Sequence, residues 1–306
     1  MRMVSGITTW VDGRFIDCTE ATVPLLSHSF GRGSAVFEVM AVTSTLRGPA
    51  FFCLEEHLDR FLFSAGQTYM ELPFSREAIR EALMELARIN SVTTGLAKFF
   101  AYYPGIEFGT TPSGRVSVAV FCLNYANCGI TEPPADASVS VGISSYRKLH
   151  PLTTDVHAKV AGNYVNGYLA RMESRSRGFD EALMLDAGGL VAEGPTSNIF
   201  FVRGNDVETP TEENVLPGIT RRVIMEVLDD MGLPEKQVHI RPGDIQRYDE
   251  AFFSGTVTPV LPIRSIEQKN FSCPGPVTLS VRQKMEEVLQ GRSPRYEKYL
   301  TLIPKG

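Results

Sequence analysis

The first pattern in the chain has a period of two. Thr9-Trp10-Val11 and Arg14-Phe15-Ile16 flank Asp12-Gly13, and a pair that tolerates positive φ between two β-rich runs predicts a tight hairpin. The period then lengthens: Leu54, Leu58, Phe61, Leu62 and Ala65 keep helical spacing toward Tyr69, and Ser75 stands where it caps a second helix through Ile79, Leu83 and Leu86. Lys98 to Tyr103 and Val116 to Leu123 return to aromatic and β-branched residues and predict buried strands. From Asn124 to Ala137 the apolar rhythm is lost around Pro133-Pro134, which predicts a linker. Beyond it the pattern predicts a strand over Val139 to Ile143, a helix from Asn163 to Arg175 and a hairpin around Asp186-Ala187-Gly188-Gly189. A helix from Ile219 to Met231 and strands near Phe252 and Val260 complete it. Both halves mix helix and strand without an internal repeat. The expectation is a mixed α/β chain of two domains, residues 1–125 and 138–306, with 126–137 between them.

At 306 residues the chain is long enough for two cores. Hydrophobic residues make up 43% and charged residues 21%, the balance of a folded globular protein. A net charge of −5 without a basic run supplies no footprint for a phosphate backbone, so nucleic acid is not expected as a partner. Cys18, Cys53, Cys122, Cys128 and Cys273 are scattered, without C-x-x-C spacing. They are expected as reduced, mostly buried thiols rather than a disulfide framework or zinc knuckle. Met1 to Gly6 lead toward a strand and not into the apolar core of a signal peptide. The longest apolar stretch, Val116 to Leu123, is far shorter than the ~20 residues of a membrane-spanning helix. A cytoplasmic protein is expected.

Four segments carry candidate chemistry. Leu216-Pro217-Gly218-Ile219-Thr220-Arg221 enters a helical pattern; it is an ordinary turn and cap, or a cup where exposed N–H groups and the helix dipole receive an anion. Ser254-Gly255-Thr256-Val257-Thr258 ends a strand in small hydroxylated residues, which form a polar turn or bond a phosphate or carboxylate. Lys159 lies in Val156-His157-Ala158-Lys159-Val160-Ala161-Gly162-Asn163-Tyr164; it is a solvated surface amine, or a desolvated one whose neutral form attacks a carbonyl. Glu193, ahead of Gly194-Pro195, is a loop glutamate or a carboxylate in an apolar setting that needs a cationic partner, for which a protonated pyridine nitrogen serves.

In this order and at these separations the segments resemble the fold-type IV pyridoxal-phosphate enzymes, and above all their branched-chain aminotransferase branch. The resemblance runs nearly end to end. It also takes in Ser27-His28, Val36-Phe37-Glu38 and Glu56-His57-Leu58-Asp59-Arg60. It implies a smaller N-terminal α/β domain and a larger C-terminal pseudo-barrel domain with the cofactor between them. It implies that Lys159 holds pyridoxal 5′-phosphate as a Schiff base, that Tyr164 bonds the phenolic oxygen and that Glu193 pairs with the ring nitrogen. Arg60, Gly218, Ile219, Thr220 and Thr256 would hold the phosphate, with Leu216 against the ring. The activity implied is ping-pong transamination between an L-amino acid, branched-chain-like, and a 2-oxo acid, in a homodimer or higher oligomer.

The chain departs from the branch at its substrate positions. Arg32 stands for a tyrosine, and Leu96-Ala97-Lys98 for tyrosine-x-arginine; an ammonium does not reproduce a guanidinium fork. Arg32, Phe37, Lys98, Thr256 and Val257 are the candidate substrate contacts, while Arg147 and Lys148 are further cations for an atypical carboxylate. Relatives acting on D-amino acids, (R)-amines or aminodeoxychorismate share the cofactor frame and stay open as alternatives, as does a catalytically silent scaffolding dimer. His28 and His57 are expected to do structural work. His150, His157 and His239 lack metal-ligand spacing, so no catalytic metal is expected.

Overall fold

The predicted hairpin opens the fold. β1 (Thr8–Val11) and β2 (Arg14–Asp17) pair antiparallel with Val11 opposite Arg14. Asp12 and Gly13 take positive φ of 49° and 85°, as a two-residue turn that follows the strand twist requires. The structure is a computed structural model describing residues 6–129 and 137–304. Most of the expected linker and the residues Met1 to Ser5 therefore lie outside the described residues.

After the hairpin come α1 (His28–Arg32), β3 (Val36–Thr45), β4 (Gly48–Phe52), α2 (Leu54–Gln67), α3 (Arg76–Ile89), β5 (Gly95–Tyr102), β6 (Ser117–Asn124) and one helical turn, α4 (Tyr125–Cys128). The Ser75 hydroxyl accepts from Ala78 N at 3.2 Å and starts α3 as predicted, a cap that contributes about 1 kcal/mol. The chain continues with β7 (Val139–Arg147), α5 (Tyr164–Ser176), β8 (Glu181–Leu185), β9 (Val191–Glu193), β10 (Asn198–Arg203) and β11 (Asp206–Pro210). It ends through α6 (Ile219–Asp230), β12 (Glu235–Val238), β13 (Glu250–Ser254), β14 (Leu261–Ile266), β15 (Lys269–Asn270), α7 (Pro276–Leu289) and β16 (Leu300–Leu302).

These elements form two compact units: Met1–Glu132 with Ala158–Gly162 and Val288–Gly306, and Pro133–His157 with Asn163–Glu287. The first is built on a seven-stranded sheet of order β16-β4-β3-β5-β6-β1-β2. Its buried face sets Met40, Val42, Ala97, Phe99, Val118 and Val120 against Leu58, Phe61, Ile79, Leu83 and Leu86 of α2 and α3. The strand expected to be buried over Val116 to Leu123 is mostly so, whereas the one over Lys98 to Tyr103 is buried on one face only. Alternation along β5 sends Ala97, Phe99 and Ala101 inward, while Lys98 stands on the open face with Phe100 and Tyr102.

The second unit holds a nine-stranded sheet of order β12-β11-β10-β13-β14-β7-β8-β9, with β15 on β14. Of its three parallel pairs among the described residues, β7–β8 and β11–β12 are joined through α5 and α6, since parallel neighbours need a crossover, and β14–β7 is the third. Val191 N in β9 donates to Ile240 O, just past β12, at 2.8 Å. The two ends of the sheet therefore meet, and the sheet curls into a pseudo-barrel, as the resemblance implies. Cys53 and Cys122 are buried; Cys18 and Cys273 are half-buried.

Phe99 is fully buried and meets Phe61 edge-on at 4.9 Å between centroids. Phe99→Ala is expected to cost about 3–5 kcal/mol, read as a lower urea midpoint; an unchanged midpoint would contradict this core.

Candidate active site

Residues 158–162 run as a strap along the start of β3. Phe37 N donates to Lys159 O at 3.0 Å, Ala161 N to Ala35 O at 2.7 Å and Gly162 N to Gly33 O at 2.9 Å. Lys159 N donates to Ser64 Oγ of α2 at 2.9 Å, so the backbone on both sides of its side chain is fixed. The strap lies this close because it meets glycine with glycine. A Cβ on Gly33 would stand 2.9 Å from Gly162 Cα, and Gly33 takes a φ of 68°. Lys159 Nζ lies 5.1 Å from the Phe37 ring centroid.

Phe37 belongs to the open face of the sheet, opposite Phe100, with Val39 opposite Lys98. Lys98 Nζ stands 5.3 Å from the Phe37 ring and 4.9 Å from the Phe100 ring. Loss of water around its ammonium pushes its pKa below the ordinary lysine value. Two amines thus share one aromatic side chain, and the structure brings Lys159, Phe37 and Lys98 together. Beside them a cavity of about 290 Å³ is lined by Val23, Phe30, Phe100, Tyr102, Ala119 and Phe121, among others.

The helix that holds Lys159 through Ser64 also carries His57 and Arg60. Glu38, fully buried, accepts from Arg60 Nε at 2.6 Å, Arg60 Nη2 at 2.9 Å and His57 Nδ1 at 2.8 Å. Burial alone would raise the Glu38 pKa, but the Arg60 guanidinium and His57 hold it far below the carboxylate range. Burial pushes the His57 pKa down, and because a carboxylate only accepts, Nδ1 carries the proton of the neutral ring. Arg60 was expected to face a phosphate; its guanidinium is oriented first by Glu38. His28 likewise works structurally, between Ser34 Oγ at 2.8 Å and Thr110 O at 2.9 Å.

In the second unit Glu193 closes β9 and is 4% exposed. It ion-pairs with Lys148, accepts from Asn198 Nδ2 at 3.0 Å and accepts from Leu216 N at 3.3 Å. Asn198 also donates to Leu216 O at 3.0 Å, which ties the carboxylate to the loop that starts α6. Asn198 was not singled out from the sequence, because an asparagine after Thr196-Ser197 looks like turn chemistry. Opposite it on β13 lies Ser254, whose buried Oγ has no hydrogen-bond partner among the described residues. Gly218 caps α6 without a side chain, and a Cβ there would stand 2.0 Å from Asn198 Oδ1. The amides of Ile219 and Thr220, both buried residues, open this twelve-residue helix. Tyr164 begins α5, and Thr256 follows β13 with Val257 exposed. Arg32 ends α1 exposed, as Arg147 ends β7. Among the described residues no group of three His, Cys, Asp or Glu is placed to hold a metal ion.

The donors of each unit, taken by themselves, fit the cofactor that the resemblance implies. A lysine amine on a fixed backbone suits an aldehyde. A helix start without a side-chain cap suits a phosphate. Lys148, Asn198 and Leu216 N use three of the about four lone-pair sites of a carboxylate, which leaves Glu193 room for one ring N–H.

Comparison with known proteins agrees with this chemistry. Residues 35–266 match the family of class IV amino-transferases. The branched-chain-amino-acid aminotransferase of Pseudomonas aeruginosa is 31% identical over 297 residues, 96% of either chain. The structure of the Thermoproteus uzoniensis branched-chain aminotransferase with norvaline superposes with a TM-score of 0.92 at 30% identity, covering 97% of this chain and 99% of that one. The Thermobaculum terrenum branched-chain amino acid aminotransferase in its PLP-bound holo form does so with a TM-score of 0.91 at 27% identity, covering 98% and 99%.

Replacing Glu38 by Ala takes this buried carboxylate away from the half-buried Arg60 guanidinium and from His57, at an expected cost of about 3 kcal/mol. Because the folded-state pKa of Glu38 lies below its unfolded value, this contribution is complete above about pH 5 and declines as pH falls below about 4.3. Urea midpoints of wild type and Glu38→Ala should therefore differ most near neutral pH and converge in acid. A gap that widens on acidification would contradict the sign.

Proposed function

This chain belongs to the class IV aminotransferases, and we propose that it moves the amino group of a branched-chain-like L-amino acid to a 2-oxo acid by a ping-pong route. It is a transaminase, and its cofactor is pyridoxal 5′-phosphate. The observation that carries the reading is the strap on β3, which fixes Lys159 on both sides and sets its amine 5.1 Å from the Phe37 ring centroid. A lysine held this way loses little freedom on meeting a carbonyl.

When bound, the cofactor supplies an electron sink for the pair left as the donor's α-proton departs. Lys159 Nζ is the base that takes this proton and returns it on the cofactor side. Glu193 holds the proton of the ring nitrogen, Tyr164 bonds the phenolic oxygen and Leu216 packs against the ring. Arg60, Thr220 and Thr256, with the backbone at Gly218 and Ile219, bind the phosphate. Lys98 takes a substrate carboxylate, with Arg32 as a second cation. Phe37, Thr256 and Val257 line the donor's path. The apolar cavity beside Phe100 and Phe121 supports a branched or otherwise apolar donor side chain.

The protein acts as a homodimer in this reading. Support comes from apolar residues left open on one loop pair of the first unit: Leu25, Leu26 and Phe30 beside Ile106 and Phe108, where Ser27 bridges Ile106 and Phe108 is 80% exposed. Among the described residues no helix is long and apolar enough to cross a membrane, and we place the protein in the cytoplasm.

L-leucine, L-valine or L-isoleucine should convert the absorption band of the loaded enzyme, and 2-oxoglutarate should restore it. Lys159→Ala should slow this by at least about 10²-fold. Response to D-enantiomers or (R)-amines alone, or release of pyruvate from aminodeoxychorismate, would replace the proposal by one of the related activities. Phe108→Asp should shift sedimentation toward a single 33.8 kDa chain; an unshifted dimer would remove this loop pair from the interface.

A further inference from the structure

Lys148 follows the last residue of β7, and its N donates to Leu185 O of β8 at 2.8 Å. Its side chain is only 19% exposed and reaches past β8 to Glu193 on β9, where its ammonium pairs with Oε1. Oε1 also accepts from Leu216 N, while Oε2 accepts from Asn198. A cation thus already stands on the carboxylate assigned to the ring nitrogen. A buried carboxylate without a counter-charge is costly, and a carboxylate that serves two cations is a weaker base toward each.

We propose that Lys148 is the positioning residue and counter-ion of Glu193, and that it shares this carboxylate with the ring nitrogen of pyridoxal phosphate, limiting how tightly the ring is held. The inference rests on the pairing of Glu193 with that nitrogen. It assigns Lys148 opposite effects in the two forms of the protein. Without cofactor, Lys148 neutralises Glu193 and stabilises the fold. With cofactor, the ammonium on Oε1 draws on the same carboxylate charge that the ring N–H needs, and so weakens binding. A lysine that only filled space or propped the loop would act in one direction, because its removal would lower stability and cofactor affinity together.

The test compares the cofactor-free and cofactor-loaded forms of wild type, Lys148→Met, Lys148→Gln, Lys148→Arg and Glu193→Gln. Urea unfolding is followed without cofactor, and pyridoxal phosphate is titrated by absorbance. Lys148→Met should unfold at lower urea yet bind cofactor about tenfold more tightly, the effect of removing one neighbouring charge at the low end of its usual range. Lys148→Gln, which keeps a hydrogen bond but no charge, should tighten binding likewise and serves if the Met variant does not fold. Lys148→Arg should restore wild-type values. Unchanged stability, or weaker cofactor binding in both neutral variants, would overturn the proposal. Glu193→Gln separates the premise: unchanged cofactor affinity there refutes the pairing itself. Weakened affinity in Glu193→Gln without tightening in the Lys148 variants refutes only the role of Lys148.

Discussion

The short antiparallel strap of residues 158–162 on the edge of β3 is the constraint on which the chemistry depends. Its three backbone hydrogen bonds, between Lys159 and Phe37, Ala161 and Ala35, and Gly162 and Gly33, give a lysine outside regular structure the positional definition of a strand residue. Ser64 completes it from α2, and the two facing glycines permit it. A lysine on a free loop would order its backbone on each encounter with a carbonyl; here that backbone entropy is lost on folding.

Besides fixing this lysine, the protein meets the same electrostatic problem at two of its buried carboxylates, Glu38 and Glu193. Glu38 is compensated by Arg60 and His57, and Glu193 by Lys148 and two N–H donors. In both cases the side chain proposed to meet the cofactor is engaged within the protein beforehand. Arg60 is therefore oriented before any phosphate arrives, and Glu193 is held and aimed before any ring arrives. Preorganisation of this kind places the cost of desolvation in folding rather than in cofactor binding.

Much of this was legible in the sequence, for reasons that differ between elements. The Asp12-Gly13 hairpin, the Ser75 cap and the helices over 54–67 and 219–230 follow from local rules of turn and period. The helix over 276–289 escaped notice, although Val277, Val281, Met285 and Val288, all buried, keep helical spacing. The partners of the charged residues were not readable, because Glu38 and Arg60 are joined by the packing of a helix on a strand, and Lys148 reaches Glu193 past a strand far along the chain. Lys148 appeared only as a spare cation for substrate, and Asn198 as part of a turn. Periodicity assigns a side chain to a face; it does not name the atom that side chain meets.

The most direct test of the account is to load the protein with pyridoxal phosphate, reduce it with borohydride and map the modified peptide by mass spectrometry. The account predicts that the reduced cofactor is found on Lys159 and on no other lysine. Attachment at a different lysine, or no attachment in a folded protein saturated with cofactor, would contradict it.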